Sequence, residues 1–159
     1  MDLAELADKA IHILRRGKGY LDHGSDGIIY TVTEEVVLKL HTGSHHGSPK
    51  RSAQYESELG VELYKKKVQV PQYLGLFGPA PLSHRENWGV FMQRINGLEL
   101  SSLSTVLHLE AHRQYQEQRS LIEKLGYEVG DGKNMYTNTL FDPRQKKLFL
   151  FDLVRWKRL

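Results

Sequence analysis

The stretch over residues 24–39, GSDGIIYTVTEEVVLK, restricts the possible folds of this chain more than any other segment. Two glycines, Gly24 and Gly27, precede an alternating apolar run, which is the pattern of a turn leading into a half-buried strand. A polar turn follows, and a second β-branched run then ends in Lys39. The segment therefore predicts a β-hairpin with glycine backbone at its mouth and one lysine on the returning strand.

A hairpin of this kind can hold a phosphate chain. Glycine backbone can approach an anion closely because it carries no side chain, and Lys39 supplies a point charge. The alternative is a solvent-exposed strand lysine, since two glycines near a strand occur in many proteins. The hairpin alone leaves both interpretations open, and the rest of the chain has to separate them.

The composition predicts one globular domain. The chain has 159 residues, 40% of them hydrophobic and 26% charged, which is enough for a single core. It contains no cysteine, which excludes disulfides and thiolate zinc sites. The 22 basic and 19 acidic residues are spread along the chain, so the net charge of +3 does not indicate nucleic-acid binding.

The sequence also gives an expectation for location. The first residues, MDLAELADKA, are acidic early and do not resemble a signal peptide. No apolar run approaches the roughly 20 residues that cross a bilayer. We expect no membrane segment and a cytoplasmic location, either in the producing cell or in a host cell into which the protein is delivered.

Apolar periodicity predicts the remaining elements. Helices are expected over 3–16, 52–67 and 103–125, the last as one long helix or two shorter ones. Strands are expected over 68–77, ending at the turn GPAP, and over 88–92. A second hairpin, TLF and LFLFDLV, is expected to place Asp152 at the end of a buried strand. The loop HTGSHHGSPKRS carries His45 and His46, but adjacent side chains diverge and no third metal ligand is evident.

In this order the elements resemble the protein-kinase-like superfamily, over residues 24–152. The family's glycine-rich, nucleotide-binding loop resembles Gly24, Ser25, Asp26 and Gly27, with Asp22 where its first glycine usually stands. Its strand lysine matches Lys39 in VVLK. Its helix glutamate, which holds that lysine, matches Glu56, and Glu58 is a rival for the role.

The resemblance continues into the second half of the chain. Met92 falls where the family gates the adenine pocket, and Gln93 to Ile95 fall at the hinge whose backbone contacts adenine. The family's catalytic loop is similar to VGDGKNMYTN, with Asp131 as the base and Asn138 as a metal ligand. Its metal-binding aspartate matches Asp152.

These residue types also suit phosphoryl transfer on chemical grounds. The anionic phosphates must be held and neutralised by Mg²⁺ and a lysine, while a base orients the attacking hydroxyl. Mg²⁺ prefers oxygen ligands, which Asn138 and Asp152 offer. The resemblance therefore implies ATP and Mg²⁺ as cofactors.

The fold class implied is α+β. We expect a kinase-like N-lobe over 1–92, built from an antiparallel sheet with a C-type helix, and a hinge over 93–97. A minimal C-lobe over 98–159 would hold a helix, a catalytic-loop-like segment and the terminal β-hairpin. All three regions belong to one kinase-like domain, 1–159.

Two features depart from the family pattern. The step from Asp131 to Asn138 is two residues longer than the family's spacing, and counting back five from Asn138 reaches Lys133, which cannot act as a carboxylate base. Leu153 and Val154 stand where the family has phenylalanine and glycine, and no activation segment follows. The chain resembles the minimal kinases that bacteria deliver into host cells, and it is shorter still.

Three functions follow as hypotheses. The first is an ATP- and Mg²⁺-dependent phosphotransferase, acting on Ser or Thr of a protein or, as a variant, on a small molecule. The second is a pseudokinase that binds nucleotide or a protein without phosphoryl transfer. The third is a basic interaction domain. A protein substrate or regulatory partner is expected, and an apolar face of the 103–125 helix offers a surface for a homodimer or a second protein.

Overall fold

The computed structural model describes residues 1–23, 26–43, 45–82, 85–130 and 135–159. Within these ranges the protein is α+β, with three α-helices, a five-stranded antiparallel sheet and two small two-stranded sheets. The described helices include none that combines the length and the apolar character needed to span a membrane. The coarse α+β prediction is confirmed.

The chain divides into two compact units. The first comprises Met1–Val61 and Gln72–Arg94, and the second comprises Glu62–Pro71 and Ile95–Leu159. One boundary falls inside the segment 93–97 that was predicted as a hinge. Residues 62–71, which the sequence had assigned to the N-lobe over 1–92, group with the second unit.

The first unit contains the five-stranded sheet and two helices. Its helices are α1 (Leu3–Arg15) and α2 (Pro49–Lys65), and residues 62–65 of α2 are assigned to the second unit. The strands, in the spatial order β1-β2-β3-β5-β4, are β1 (Tyr20–His23), β2 (Gly27–Thr31), β3 (Val36–His41), β4 (Tyr73–Leu82) and β5 (Arg85–Gln93).

The predicted hairpin is formed by β2 and β3. Ile28 pairs with Leu40 and Ile29 with Lys39, so the ladder runs from the glycine mouth to the turn. In that turn the Thr33 hydroxyl accepts the backbone N–H groups of Glu35 and Val36, at 3.2 and 3.1 Å. A side chain that satisfies turn backbone in this way is typical of threonine. The hairpin prediction is confirmed.

The N-terminal helix packs on this sheet. Asp2 and Glu5 form a reciprocal capping box, in which the Glu5 N–H donates to Asp2 Oδ1 at 2.9 Å. The buried Leu6 and Ala10 of α1 join the core of the sheet, which includes Phe77 and Phe91. The predicted Asp2 cap and helix are confirmed.

Several boundaries differ from the sequence prediction. Strand β4 does not stop at GPAP but continues to Leu82, because it is the edge strand and its ladder is irregular between Phe77 and Ala80. Pro79, which has no N–H, is tolerated at such an edge.

Helix α2 begins three residues earlier than predicted, with Pro49 at its first position and the Ser48 hydroxyl accepting the Arg51 N–H. Residues 68–71 precede β4 as irregular backbone, and β1 was not predicted.

The second unit is built on one long helix, α3 (Thr105–Lys124). A short 3₁₀ turn, Leu100–Ser102, precedes it, and the Ser104 hydroxyl caps it by accepting the Leu107 N–H. Its buried face contains Ala111, Gln114, Tyr115, Gln118 and Ile122. Val106 and Leu109, which the periodicity had placed on an apolar face, are 76% and 65% exposed.

Short strands complete the second unit. They are β6 (Tyr127–Glu128), β7 (Thr139–Asp142), β8 (Lys147–Leu150) and β9 (Lys157–Arg158), and they pair as β6 with β9 and β7 with β8. The predicted terminal hairpin is therefore confirmed as β7 and β8. The strand ends at Leu150, earlier than predicted, and a 3₁₀ turn over Leu153–Arg155 follows Asp152.

Candidate functional site

The first unit holds a buried ion pair between β3 and α2. Lys39 Nζ lies 2.9 Å from Glu56 Oε2 and 3.2 Å from Oε1. Lys39 is 5% exposed and Glu56 is fully buried, whereas Glu58 is exposed. The predicted pairing of Lys39 with Glu56 is present, and the rival Glu58 points to solvent. The interpretation of Lys39 as a solvated strand lysine is wrong.

Local sequence explains why Glu56 is buried. Ala53, Leu59 and Leu63 are buried on α2 and recur at helical spacing around it. Glu56 therefore lies within the apolar stripe of the helix rather than on its solvent face. A carboxylate in that position requires a fixed cation and hydrogen-bond donors, because an unpaired buried charge is costly.

Two further side chains contact Glu56, and the sequence reasoning missed both. The Tyr73 hydroxyl donates to Oε1 at 3.0 Å, and His41 Nε2 lies 2.9 Å from Oε2. His41 follows Lys39 by two residues on β3 and so shares its face, a signal that the strand period could have supplied. Tyr73 gave no such signal, since its position depends on Gly60, where a Cβ would lie 2.2 Å from the Tyr73 ring.

These contacts set the ionisation of the cluster. Burial raises the pKa of the Glu56 carboxyl, but the charge of Lys39 and the contact with His41 together lower it by more, so that the pKa is about 2. Glu56 is therefore a carboxylate at neutral pH. The Lys39 ammonium is held on it as a fixed positive charge.

The described portion of the predicted phosphate loop lies beside Lys39. Gly27 pairs with His41 in the ladder, and a Cβ at Gly27 would lie 2.5 Å from the Leu40 carbonyl oxygen and 3.2 Å from Lys39 Cγ. Glycine thus allows the chain to pass directly over the lysine side chain. Gly24 and Ser25 lie outside the described residues.

Asp26, predicted to bind nucleotide, is 3% exposed. Its carboxylate contacts the His45 imidazole, and its carbonyl accepts the Thr42 N–H at 3.2 Å. His46 stacks instead on Tyr55, with ring centroids 4.0 Å apart. Across the described ranges no three His, Asp or Glu side chains come together as a metal cluster.

Part of the backbone of the predicted adenine-binding segment already forms hydrogen bonds within the protein. Met92 is buried on β5 and pairs with Val37 of β3. The Gln93 N–H donates to the Gln72 carbonyl at 2.8 Å, so this group does not serve as a donor to adenine. Ile95 is half-buried and is the first residue of the segment Ile95–Leu159 in the second unit. A contact between its backbone and adenine stays a prediction.

The second unit brings the two predicted metal ligands to one end of the β7–β8 hairpin. Thr139 pairs with Leu150, and the Phe151 N–H donates to the Asn138 carbonyl at 3.1 Å. Asn138 and Asp152 both adopt left-handed backbone, with φ of 56° and 64°. Such conformations are uncommon outside glycine and cluster at functional sites. Asp131, the predicted base, lies outside the described residues.

Neither a protein-family model nor a curated protein matches the chain. Chemically, the first unit offers a fixed ammonium beside glycine backbone, and the second offers carboxylate and amide oxygens at one hairpin end.

Proposed function

We propose that the protein is an ATP- and Mg²⁺-dependent phosphotransferase of minimal kinase type, acting on Ser or Thr of a protein. The observation that carries this proposal is the Lys39–Glu56 pair, whose ammonium and carboxylate are both buried. A buried ion pair is weak evidence for stability, because apolar residues of similar volume often replace it without loss. A functional role for the fixed ammonium is therefore the better explanation.

The residues divide by chemistry. Lys39 contacts phosphate oxygens as a point charge, and Gly27 supplies backbone close to it. Met92 and Ile95 contribute to the adenine site. Asp131 orients the attacking hydroxyl and accepts its proton as oxygen bonds to the γ-phosphorus and the bond to ADP breaks.

The donor set fits Mg²⁺. Asp152 and Asn138 offer oxygen atoms, the ligands that this hard cation prefers, and two protein ligands suffice where substrate phosphates complete the coordination. When bound, the ion would neutralise phosphate charge. One feature weakens the fit of the loop: Asp26 places a carboxylate, in contact with the His45 imidazole, next to the proposed phosphate site.

Nucleotide binding should stabilise the protein measurably. At about a hundred times its dissociation constant, MgATP is expected to raise the melting temperature by roughly 5–10 °C. Lys39→Ala and Asp152→Asn should abolish this shift, measured relative to each variant's own ligand-free melting temperature. Asparagine tolerates left-handed backbone, so Asp152→Asn removes the charge with little strain.

Matched controls separate this effect from general loss of charge. Lys65→Ala removes an exposed positive charge and is the control for Lys39→Ala, while Asp8→Asn removes an exposed negative charge and is the control for Asp152→Asn. Both controls should keep the full shift in melting temperature. No shift in the parent protein, or an equal shift in Lys39→Ala and Asp152→Asn, would contradict nucleotide binding at this site.

A pseudokinase is the second candidate, favoured by the lengthened 131–138 segment and by the acidic Asp26 near the phosphate site. Transfer of labelled γ-phosphate to the protein itself or to a lysate protein separates the two. In the enzyme, Asp131→Asn should slow transfer about 10²–10⁴-fold, the usual contribution of a general base. Nucleotide binding without transfer in the parent identifies a pseudokinase, and undiminished transfer in Asp131→Asn refutes the role of Asp131.

A further inference from the structure

The segment that follows β5 contains the dipeptide Asn96–Gly97, and the sequence has no other asparagine followed by glycine. Asn96 is exposed and lies in irregular backbone at the start of the segment Ile95–Leu159 of the second unit. Among the residues that the structure describes, neither the Asn96 side-chain amide nor the Gly97 N–H has a hydrogen-bond partner. Both groups are therefore free to react with each other.

The fold requires glycine at position 97. A Cβ on Gly97 would lie 2.8 Å from Leu140 Cβ and 3.2 Å from the Phe141 carbonyl oxygen, so the chain passes β7 too closely for a side chain. The next residue, Leu98, then pairs with Phe141: its N–H donates to the Phe141 carbonyl at 2.9 Å and its carbonyl accepts the Phe141 N–H at 3.0 Å. Asn96 is thus held directly before a residue that cannot be changed without disturbing this pairing.

An asparagine before glycine can lose its amide without an enzyme. The Gly97 backbone nitrogen gives up its proton and bonds to the Asn96 side-chain carbonyl carbon, the bond from that carbon to the amide nitrogen breaks, and ammonia leaves with the proton. The product is a cyclic succinimide. Water then adds to one of its two carbonyl carbons and opens the ring, which gives aspartate or isoaspartate. Glycine favours the first step, because it has no Cβ to hinder the attack and its backbone rotates freely.

We propose that Asn96 is a modification site, at which the folded protein loses its side-chain amide through this succinimide, and that the isoaspartyl product weakens the Leu98–Phe141 pairing. Both products add a negative charge and lower the net charge of +3 by one. Only isoaspartate also adds a carbon atom to the main chain, two residues before the paired Leu98. The proposal does not depend on the nucleotide site.

The test is to age the full chain in neutral buffer and to measure amide loss at each asparagine by peptide mass spectrometry. Asn87 is the internal control, since it precedes Trp88 and its Nδ2 donates to the Ala80 carbonyl at 3.2 Å. We expect Asn96 to react at least about ten times faster, which needs a barrier lower by only about 1.4 kcal/mol. Isoaspartate is detected by methyl transfer from labelled S-adenosylmethionine with an isoaspartyl methyltransferase. Asn96→Gln, which would have to form a larger ring, should lose both signals.

Two comparisons decide the role of the fold. The chain unfolded in guanidinium chloride gives the reference rate, and Asn96 in the folded chain should react within about tenfold of it, because exposed irregular backbone is little restrained. Amide loss only in the unfolded chain, or equal rates at Asn96 and Asn87, overturns the modification site. For the pairing, hydrogen exchange of the Phe141 amide should accelerate in the isoaspartyl form and stay slow in Asn96→Asp, which adds the charge without the extra main-chain atom. Equal exchange in these two proteins overturns the effect on the pairing.

Discussion

Replacing Glu56 by alanine is expected to lower the free energy of unfolding by about 3–5 kcal/mol, the usual cost of breaking a buried pair. The variant removes the Glu56 carboxylate, which contacts the Lys39 ammonium and accepts a hydrogen bond from the Tyr73 hydroxyl, and Lys39 is only 5% exposed. Urea unfolding followed by circular dichroism measures the change, with the midpoint and slope fitted separately.

The neighbouring Glu58 provides the control. It is an exposed glutamate on the same helix, so Glu58→Ala should change stability by no more than about 0.5 kcal/mol. A double variant, Glu56→Leu with Lys39→Met, should recover most of the loss, because well-packed apolar residues can replace a buried ion pair. Equal costs for Glu56→Ala and Glu58→Ala would show that the pair is not buried in solution.

Replacing Gln114 by leucine is expected to cost about 2–4 kcal/mol. Gln114 is buried on α3, where its Oε1 accepts the Leu148 N–H at 2.9 Å and its Nε2 donates to the Lys146 carbonyl at 2.8 Å. Leucine fills similar space but leaves the buried Leu148 N–H unsatisfied, at about 1–3 kcal/mol, and loses the hydrogen bond to the carbonyl of the exposed Lys146, which adds about 1 kcal/mol. The β7–β8 hairpin, which positions Asn138 and Asp152, should loosen, and hydrogen exchange of the Leu148 amide should accelerate.

Gln116 on the same helix is the matched control, since it is exposed and Gln116→Leu should leave stability within about 0.5 kcal/mol. A Gln114→Leu variant as stable as Gln116→Leu, with unchanged exchange at Leu148, would contradict the role of Gln114 in holding the hairpin.

The sequence predicted the elements whose apolar period is regular. The β2–β3 hairpin, α1 with its Asp2 cap and the terminal hairpin all follow from local patterns and turn chemistry. Strand β4 was cut short because GPAP is ordinarily a turn signal, and only its edge position in the sheet makes Pro79 compatible with a strand. Sheet order is a tertiary property that local sequence does not contain.

One contact of the candidate site was predictable. Glu56 was chosen as the partner of Lys39 from the order of elements in the family that the chain resembles, and the two side chains do pair. Tyr73 was missed, since it reaches Glu56 through space that Gly60 leaves open. The use of the Gln93 N–H by Gln72 depends on where the two segments meet, which the sequence of neither segment specifies.

The two outer strands of the five-stranded sheet have a consequence for association between molecules. An exposed, regular edge strand is a template on which another chain can add and propagate aggregates. At one edge β1 has only four residues and a register shift between Tyr20 and Asp22. At the other edge, β4 is interrupted by a register shift between Phe77 and Ala80 and by Pro79, which has no N–H to donate to an added strand. Both edges are therefore poor sites for strand addition, which protects a chain of this size against edge-to-edge aggregation.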